Sequence, residues 1–219
     1  MSAVLLIVAH PDDEVLWMGG TLQKLISKWK KVSVLLLSRP WNARALEDPQ
    51  IRLWTFRKTV EALWVNEVFY ENFPDTCFDT VRLLDIIKSI ERVIDIVKPE
   101  IVYTHFFNDI NIDHCIASRA TITALRPIGK YTFVKDIFLF EVASSTELRI
   151  WNDVFIPNYY EDIGDFIDGK KRFLSLYTTE LRDFPHPFSQ EWVETLAKYR
   201  WMESWLSCAE AFILYRSRR

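Results

Sequence analysis

Glycine is scarce in this chain, with five among 219 residues, and that removes the Gly-rich loops with which proteins cradle nucleotide phosphates. There is no GxGxxG or P-loop pattern, and the Gly19-Gly20 pair falls within a helical stretch and not in a strand-to-helix loop. Cysteine is scarce as well. Cys77, Cys115 and Cys208 form no metal-ligand spacing and cannot all pair within the chain, which excludes a disulfide scaffold and favours a reducing compartment. Cys115 adjoins His114, yet it reads as a small apolar residue on the inner face of a helix. No segment reaches the roughly 18 apolar residues that cross a bilayer, and no basic stretch with an apolar run precedes the first strand. A cytoplasmic protein without stable membrane insertion is expected. Excess charge of one sign is also missing: 27 Lys and Arg stand against 30 Asp and Glu, for a formal net charge of −3. That balance gives no electrostatic case for nucleic acid, and the cluster Lys28 to Lys31 reads as a solvated helix end. Finally, there are four histidines, His10, His105, His114 and His186, so any imidazole chemistry draws on these.

What is present is a core-forming chain of alternating elements. Hydrophobic residues make up 49% of it, enough for one domain spanning 1–219. Ala3 to Ala9 is a continuous apolar run of the kind found in central parallel strands, and Glu14 onward reads as the following helix. Lys31 to Ser38 reads as a second strand, Asp48 to Val65 as a helix, and Glu67 to Tyr70 as a short strand. Leu83, Ile86, Ile87, Ile90, Val93, Ile94 and Val97 keep helical spacing until Pro99. Glu100 to His105 is then a strand, and Asp113 is placed to N-cap a helix running to Ala124. Ile137 to Val142 looks like a further strand, with Tyr160 to Leu181 and Trp192 to Trp205 helical. The order predicts an α/β fold, a Rossmann-like three-layer sandwich with a mostly parallel central sheet.

The chemistry concentrates in Ala9-His10-Pro11-Asp12-Asp13-Glu14, directly after the first strand. In open α/β sheets ligands bind beyond the carboxyl ends of the strands, so His10, Asp12 and Asp13 meet at that mouth. A catalytic Zn²⁺ takes three protein ligands and keeps a position open. His10 and Asp13 supply two, leaving Asp12 free as a base. The stretch Asp109 to His114 follows another strand and offers the third. Asp109 reads as a carboxylate that orients His114 or Asp12 from behind, or as a substrate contact. Among the nine tryptophans, Trp54, Trp64, Trp192, Trp201 and Trp205 read as core or interface. Trp17 and Trp41, beside the first two strand ends, read as candidate sugar platforms.

With these residues the chain resembles the LmbE/PIG-L-type zinc-dependent N-deacetylases of sugars and related amino compounds, whose first signature, AHPDDE, stands unchanged at residues 9–14. The resemblance implies one Zn²⁺ per chain held by His10, Asp13 and His114, with Asp12 as general base. Arg52 matches a family arginine near the acyl pocket, although Thr55 stands where an acidic residue commonly follows. Asp162-Ile163 with Lys170, His186-Pro187-Phe188 and Ala209 to Phe212 are similar to C-terminal features of the family. The implied partner is a small N-acetylated sugar or glycoconjugate, N-acetylglucosaminyl in type, and a homo-oligomer is compatible with it.

One position departs. Asn111 replaces the first His of the second family motif, and asparagine donates a hydrogen bond but has no proton to give at neutral pH. Either His105 or His186 takes the acid role, or Asp12 carries it alone, or the chain is a weak or inactive zinc-containing sugar-binding protein of the same fold. If it is active, the reaction expected is amide hydrolysis yielding acetate and a free amine.

Overall fold

The computed structural model describes residues 2–39, 49–148 and 153–219. The apolar run at the N-terminus forms β1 (Ala3–Val8), which lies inside a sheet with β2 (Lys31–Arg39) and β3 (Glu67–Pro74) on one side. On its other side come β4 (Ile101–His105), β5 (Asp136–Phe140), β7 (Ala209–Arg216) and β6 (Tyr159–Asp162), giving the order β3-β2-β1-β4-β5-β7-β6. The first five are parallel to their neighbours, and β7 pairs antiparallel with both β5 and β6. The α/β class with a mostly parallel sheet is therefore the observed one.

Alternation along β1 builds two layers. Val4, Leu6 and Val8 pack on one face with Phe56 and Val60 of α3 (Pro49–Ala62) and Leu63 just after it, while Leu5, Ile7 and Ala9 pack on the other with α4 (Leu83–Val97) and α5 (Ile112–Ala124). Val4 to Val8 are all fully buried, and each such side chain contributes about 1.5–3 kcal/mol. Helix α4 buries Ile86, Ile90, Val93 and Ile94, and it ends on Lys98 in the left-handed conformation (φ 49°) just before Pro99.

Several sequence expectations need correction. The single helix expected from Glu14 is two, α1 (Asp13–Leu16) and α2 (Gly19–Ser27). The break falls at Trp17 and Met18; in the first turn of α2, Gly20 passes Ile163 so closely that a Cβ would lie 2.7 Å from the Ile163 Cβ, a contact for which helical periodicity carries no signal. Asp113 is not the N-cap of α5. Asn111 is, its side chain accepting from the Asp113 N–H, and Asp113 faces inward. Tyr160 to Leu181 is not one helix: it begins in β6 and becomes α6 (Ile167–Leu174). Residues 209–216, read above only as a family feature, form β7, the strand that joins β6 to the sheet. Helix α7 (Gln190–Ser204) lies close to its expected span. Trp54, Trp64, Trp201 and Trp205 are exposed and so are not core. Cys115 is half-buried, with its Sγ donating to the Asp109 carbonyl. Trp41 lies outside the described residues.

Candidate metal centre and active-site cavity

The carboxyl ends of β1, β3, β4 and β5 surround a cavity of about 450 Å³ lined by His10, Asp12, Asp13, Asn111 and His114 on the polar side and by Trp17 and Phe188 on the apolar side. β1 ends at Val8 and delivers His10 two residues later. The backbone then turns sharply at Asp12, which has φ 104°, a conformation costing a side-chain-bearing residue of order 1–3 kcal/mol. Glu14 holds that turn. Its carboxylate accepts from the Asp12 N–H at 3.0 Å and from the Tyr177 hydroxyl.

His10 is fixed from both ring nitrogens. Nε2 lies 3.0 Å from Asp113 Oδ2 and 3.3 Å from Asp75 Oδ1, while Nδ1 faces His114 Nε2 at 3.2 Å and Asp13 Oδ2 at 3.7 Å. A proton on Nε2 directed at Asp113 leaves the Nδ1 lone pair facing the cavity. Asp113 is itself anchored by the N–H groups of Thr76 and Phe78.

Among the described residues two sets of donors could hold a metal ion: His10, Asp13 and His114, and His10, Asp75 and Asp113. The first fits better. Its donor separations of 3.2, 3.7 and 3.9 Å are close to the roughly 3.3–3.6 Å between tetrahedral ligands of one zinc ion. In the second set Asp113 already accepts two backbone N–H groups and Asp75 lies 3.3 Å from Arg52 Nη1, so these carboxylates support His10 from behind. A divalent ion in the first set would polarise a carbonyl and acidify water.

The electrostatics separate the two neighbouring aspartates. Burial raises the Asp13 carboxyl, but His105, His114 and His10 outweigh it and hold Asp13 below the usual carboxylate range. Burial pushes Asp12 well above that range, against the pull of Arg52. His10 is lowered by burial and raised on balance by Asp113, Asp13 and Asp75. Glu14 is pushed by burial up to about 8. The folded chain thus keeps a proton that the unfolded chain releases near 4.5, and this group costs stability progressively as pH rises from about 4.5 to 8 and no further above. Glu14→Gln keeps an acceptor for Asp12 and cannot ionise. Urea denaturation at pH 5, 6.5 and 8 should show a smaller loss of stability in the variant than in wild type; identical pH slopes would count against a protonated Glu14.

Not every sequence candidate reaches the cavity. His105 is fully buried behind it, its ring stacked on His114 at 4.2 Å and its Nε2 accepting from the Ala9 N–H. Burial, then the His114 charge, pulls it down to about 4. It is a neutral ring beneath the His10, Asp13 and His114 side chains and does not line the cavity. His186 is exposed and off the cavity wall, its Nδ1 accepting from the N–H of Phe188, which does line the cavity. Asp109 is likewise turned from the cavity. Its Oδ2 accepts from Ser145 and Thr146 and lies 3.4 Å from His114 Nδ1, behind that ring.

Arg52 does line the cavity, 3.0 Å from Glu180, 3.3 Å from Asp75 and 3.7 Å from Asp12. Trp17 lines it too, 6.1 Å from the Phe188 ring. Asp75, Glu180 and Tyr177 were missed. Asp75 had a signal, since Pro74-Asp75 follows a strand at the same sheet edge; Glu180 and Tyr177 arrive from the segment after α6 by tertiary folding alone.

The family described as PIG-L, GlcNAc-PI de-N-acetylase, matches residues 5–125, more than half of the chain, and the protein belongs to that family. Among solved structures it is similar to the conserved protein TT1542 from Thermus thermophilus, with a TM-score of 0.81, 21% identity and coverage of 100% of this chain and 97% of that one. It is similar to the N,N'-diacetylchitobiose deacetylase of Pyrococcus horikoshii, with a TM-score of 0.77, 19% identity and coverage of 96% and 82%. GalB, the 4-carboxy-2-hydroxymuconate hydratase of Pseudomonas putida, aligns with a TM-score of 0.79, 20% identity and coverage of 100% and 98%. One fold therefore serves more than one reaction, and the site has to carry the argument.

Proposed function

We propose that this protein is a zinc-dependent hydrolase, a single-domain cytoplasmic enzyme that removes the acetyl group from an N-acetylated sugar, N-acetylglucosaminyl in type, or a related amino compound. One observation carries the reading: Asp12, a carboxylate outside the His10–Asp13–His114 donor set, sits at the same cavity with its affinity for protons raised. A base that binds no metal and holds a proton more readily than its neighbour suits a water attack followed by proton return.

Asp12 takes the proton of the attacking water as the C–O bond forms. It returns that proton to the departing nitrogen as the C–N bond breaks, giving acetate and amine. This assignment follows from the positions of His105 and His186, both off the cavity wall. Asn111 contributes differently. Its Oδ1 is committed to the Asp113 N–H, which leaves its amide N–H₂ to donate to the oxyanion. Arg52 and Asp75, opposed across 3.3 Å, offer a donor and an acceptor to neighbouring sugar hydroxyls, and Trp17 with Phe188 offers an apolar wall to the ring.

Asn111→Asp separates cap from donor. Asp is as good an N-cap as Asn, so thermal stability should hold while kcat falls about 10- to 1000-fold, the range for losing one oxyanion donor. Unchanged turnover would remove Asn111 from the chemistry. The departure at Asn111 also motivates a second reading, a sugar-binding protein with little turnover. Assaying amine release from N-acetylated monosaccharides, disaccharides, nucleotide sugars and glycolipid headgroups tests both. Release from one class supports the hydrolase. Tight binding without release supports the binder, and hydration of an unsaturated acid without amine release would place the chain with GalB.

A further inference from the structure

The sheet edge opposite the cavity, where β1 to β5 begin, carries its own pattern. Helices α2 and α3 end alike. Trp29 N–H donates to Ile26 O and Lys30 N–H to Leu25 O; Trp64 N–H donates to Glu61 O and Val65 N–H to Val60 O. Each is a Schellman turn with the tryptophan at the left-handed position, φ 57° and 62°, where glycine is favoured because a Cβ is penalised. The two turns are neighbours, since Asn66 exchanges hydrogen bonds with Val32 at the start of the paired strands β2 and β3. Trp29 and Trp64 are each 81% exposed, and on the same edge Ile128, in the α5–β5 connection, is 78% exposed. Trp205 ends α7 similarly but precedes β7, which runs the other way, so it does not join this edge.

The charge beside these side chains is positive. Lys28, Lys30, Lys31, Lys98, Lys130 and Lys135 lie along the edge. Its carboxylates Glu61, Glu67, Asp95, Glu100 and Asp136 are already held, by Lys58 at 3.2 Å, by Lys31 at 3.1 Å, by Lys98 and Lys130, by Lys135 at 2.8 Å and by Arg219 at 3.0 Å. Among the described residues Lys28, Lys30 and Arg126 make no ion pair. In a chain whose formal net charge is −3, this is a local reversal of sign.

We propose that this edge docks on an anionic lipid surface, with the Trp29 and Trp64 indoles at the headgroup level and the lysines against lipid phosphates and carboxylates. Exposed tryptophans beside lysines are the composition that partitions to such an interface. A second copy of the chain fits less well, because a two-fold contact through this edge sets Lys28 to Lys31 against like charge. Docking here turns the cavity away from the bilayer, so substrate reaches it from solution. The proposal stands apart from the deacetylase reading.

Sedimentation of the full chain with vesicles of phosphatidylcholine alone, and of equal parts phosphatidylcholine and phosphatidylserine, tests it. Binding is expected to the second only and to weaken with salt. Trp29→Gly with Trp64→Gly should lower that binding about tenfold or more while leaving the chain at least as resistant to urea, since glycine suits both turns. Lys28→Gln and Lys30→Gln should each cost about fivefold, the equivalent of roughly 1 kcal/mol per basic residue. No sedimentation of the wild type with anionic vesicles, equal binding by the double glycine variant, or a vesicle-independent dimer that this variant abolishes would overturn the proposal.

Discussion

Asp12→Asn is expected to lower kcat by about 100-fold or more while leaving the metal content of the chain unchanged. The amide cannot accept the proton of water, yet its side chain is close in size, and the backbone bond from the Asp12 N–H to Glu14 is retained. The left-handed turn at residue 12 tolerates asparagine better than most residues, so folding should survive. Steady-state amine release with metal analysis of the same preparation makes the measurement. Loss of metal from Asp12→Asn with retention in Asp13→Asn would exchange the roles of the two carboxylates.

His114→Ala should have the opposite profile, losing both metal and activity. It removes one of three donors, leaves the Nδ1 of His10 facing Asp13 alone, and opens a hollow against the stacked His105 ring. Asp109→Asn, which alters the group behind His114 Nδ1 and removes no metal donor, should weaken the ion by the lesser factor of about 10–100 typical of such a partner. Full retention of bound zinc in His114→Ala would end the three-donor assignment, whatever its effect on rate.

The legible part of this protein was local. The apolar run Ala3 to Ala9 and the spacing from Leu83 to Val97 announced a buried strand and an amphipathic helix because burial on both faces, or on one stripe, leaves a periodic trace in composition. His10, Asp12, Asp13 and His114 could be placed at one sheet edge for the same reason: each follows a strand end. What could not be read were arrangements made by distant segments. The close approach of Ile163 to Gly20 in the first turn of α2 leaves no periodic trace. The polar run from Tyr159 to Asp162 is a strand only because β7 is beside it. His105, at a strand end like the others, looked equally available for catalysis, and only its stacking on His114 and its bond from Ala9 show a ring sealed behind the ligands.

Lys170 and Glu210 form a buried pair at 2.6 Å, and the Glu210 carboxylate also accepts from the N–H groups of Gly20 and Thr21 at the start of α2. The stretch that matches the family, residues 5–125, therefore has the opening amides of its own second helix satisfied by a strand more than eighty residues beyond its end. Cut at that boundary, the chain would lose the acceptor of those two donors and the Tyr177 hydroxyl that meets Glu14. The segment beyond residue 125 is thus a structural component of the N-terminal motif: Glu210 holds the opening amides of α2, and Tyr177 holds the Glu14 side chain that braces the turn at Asp12.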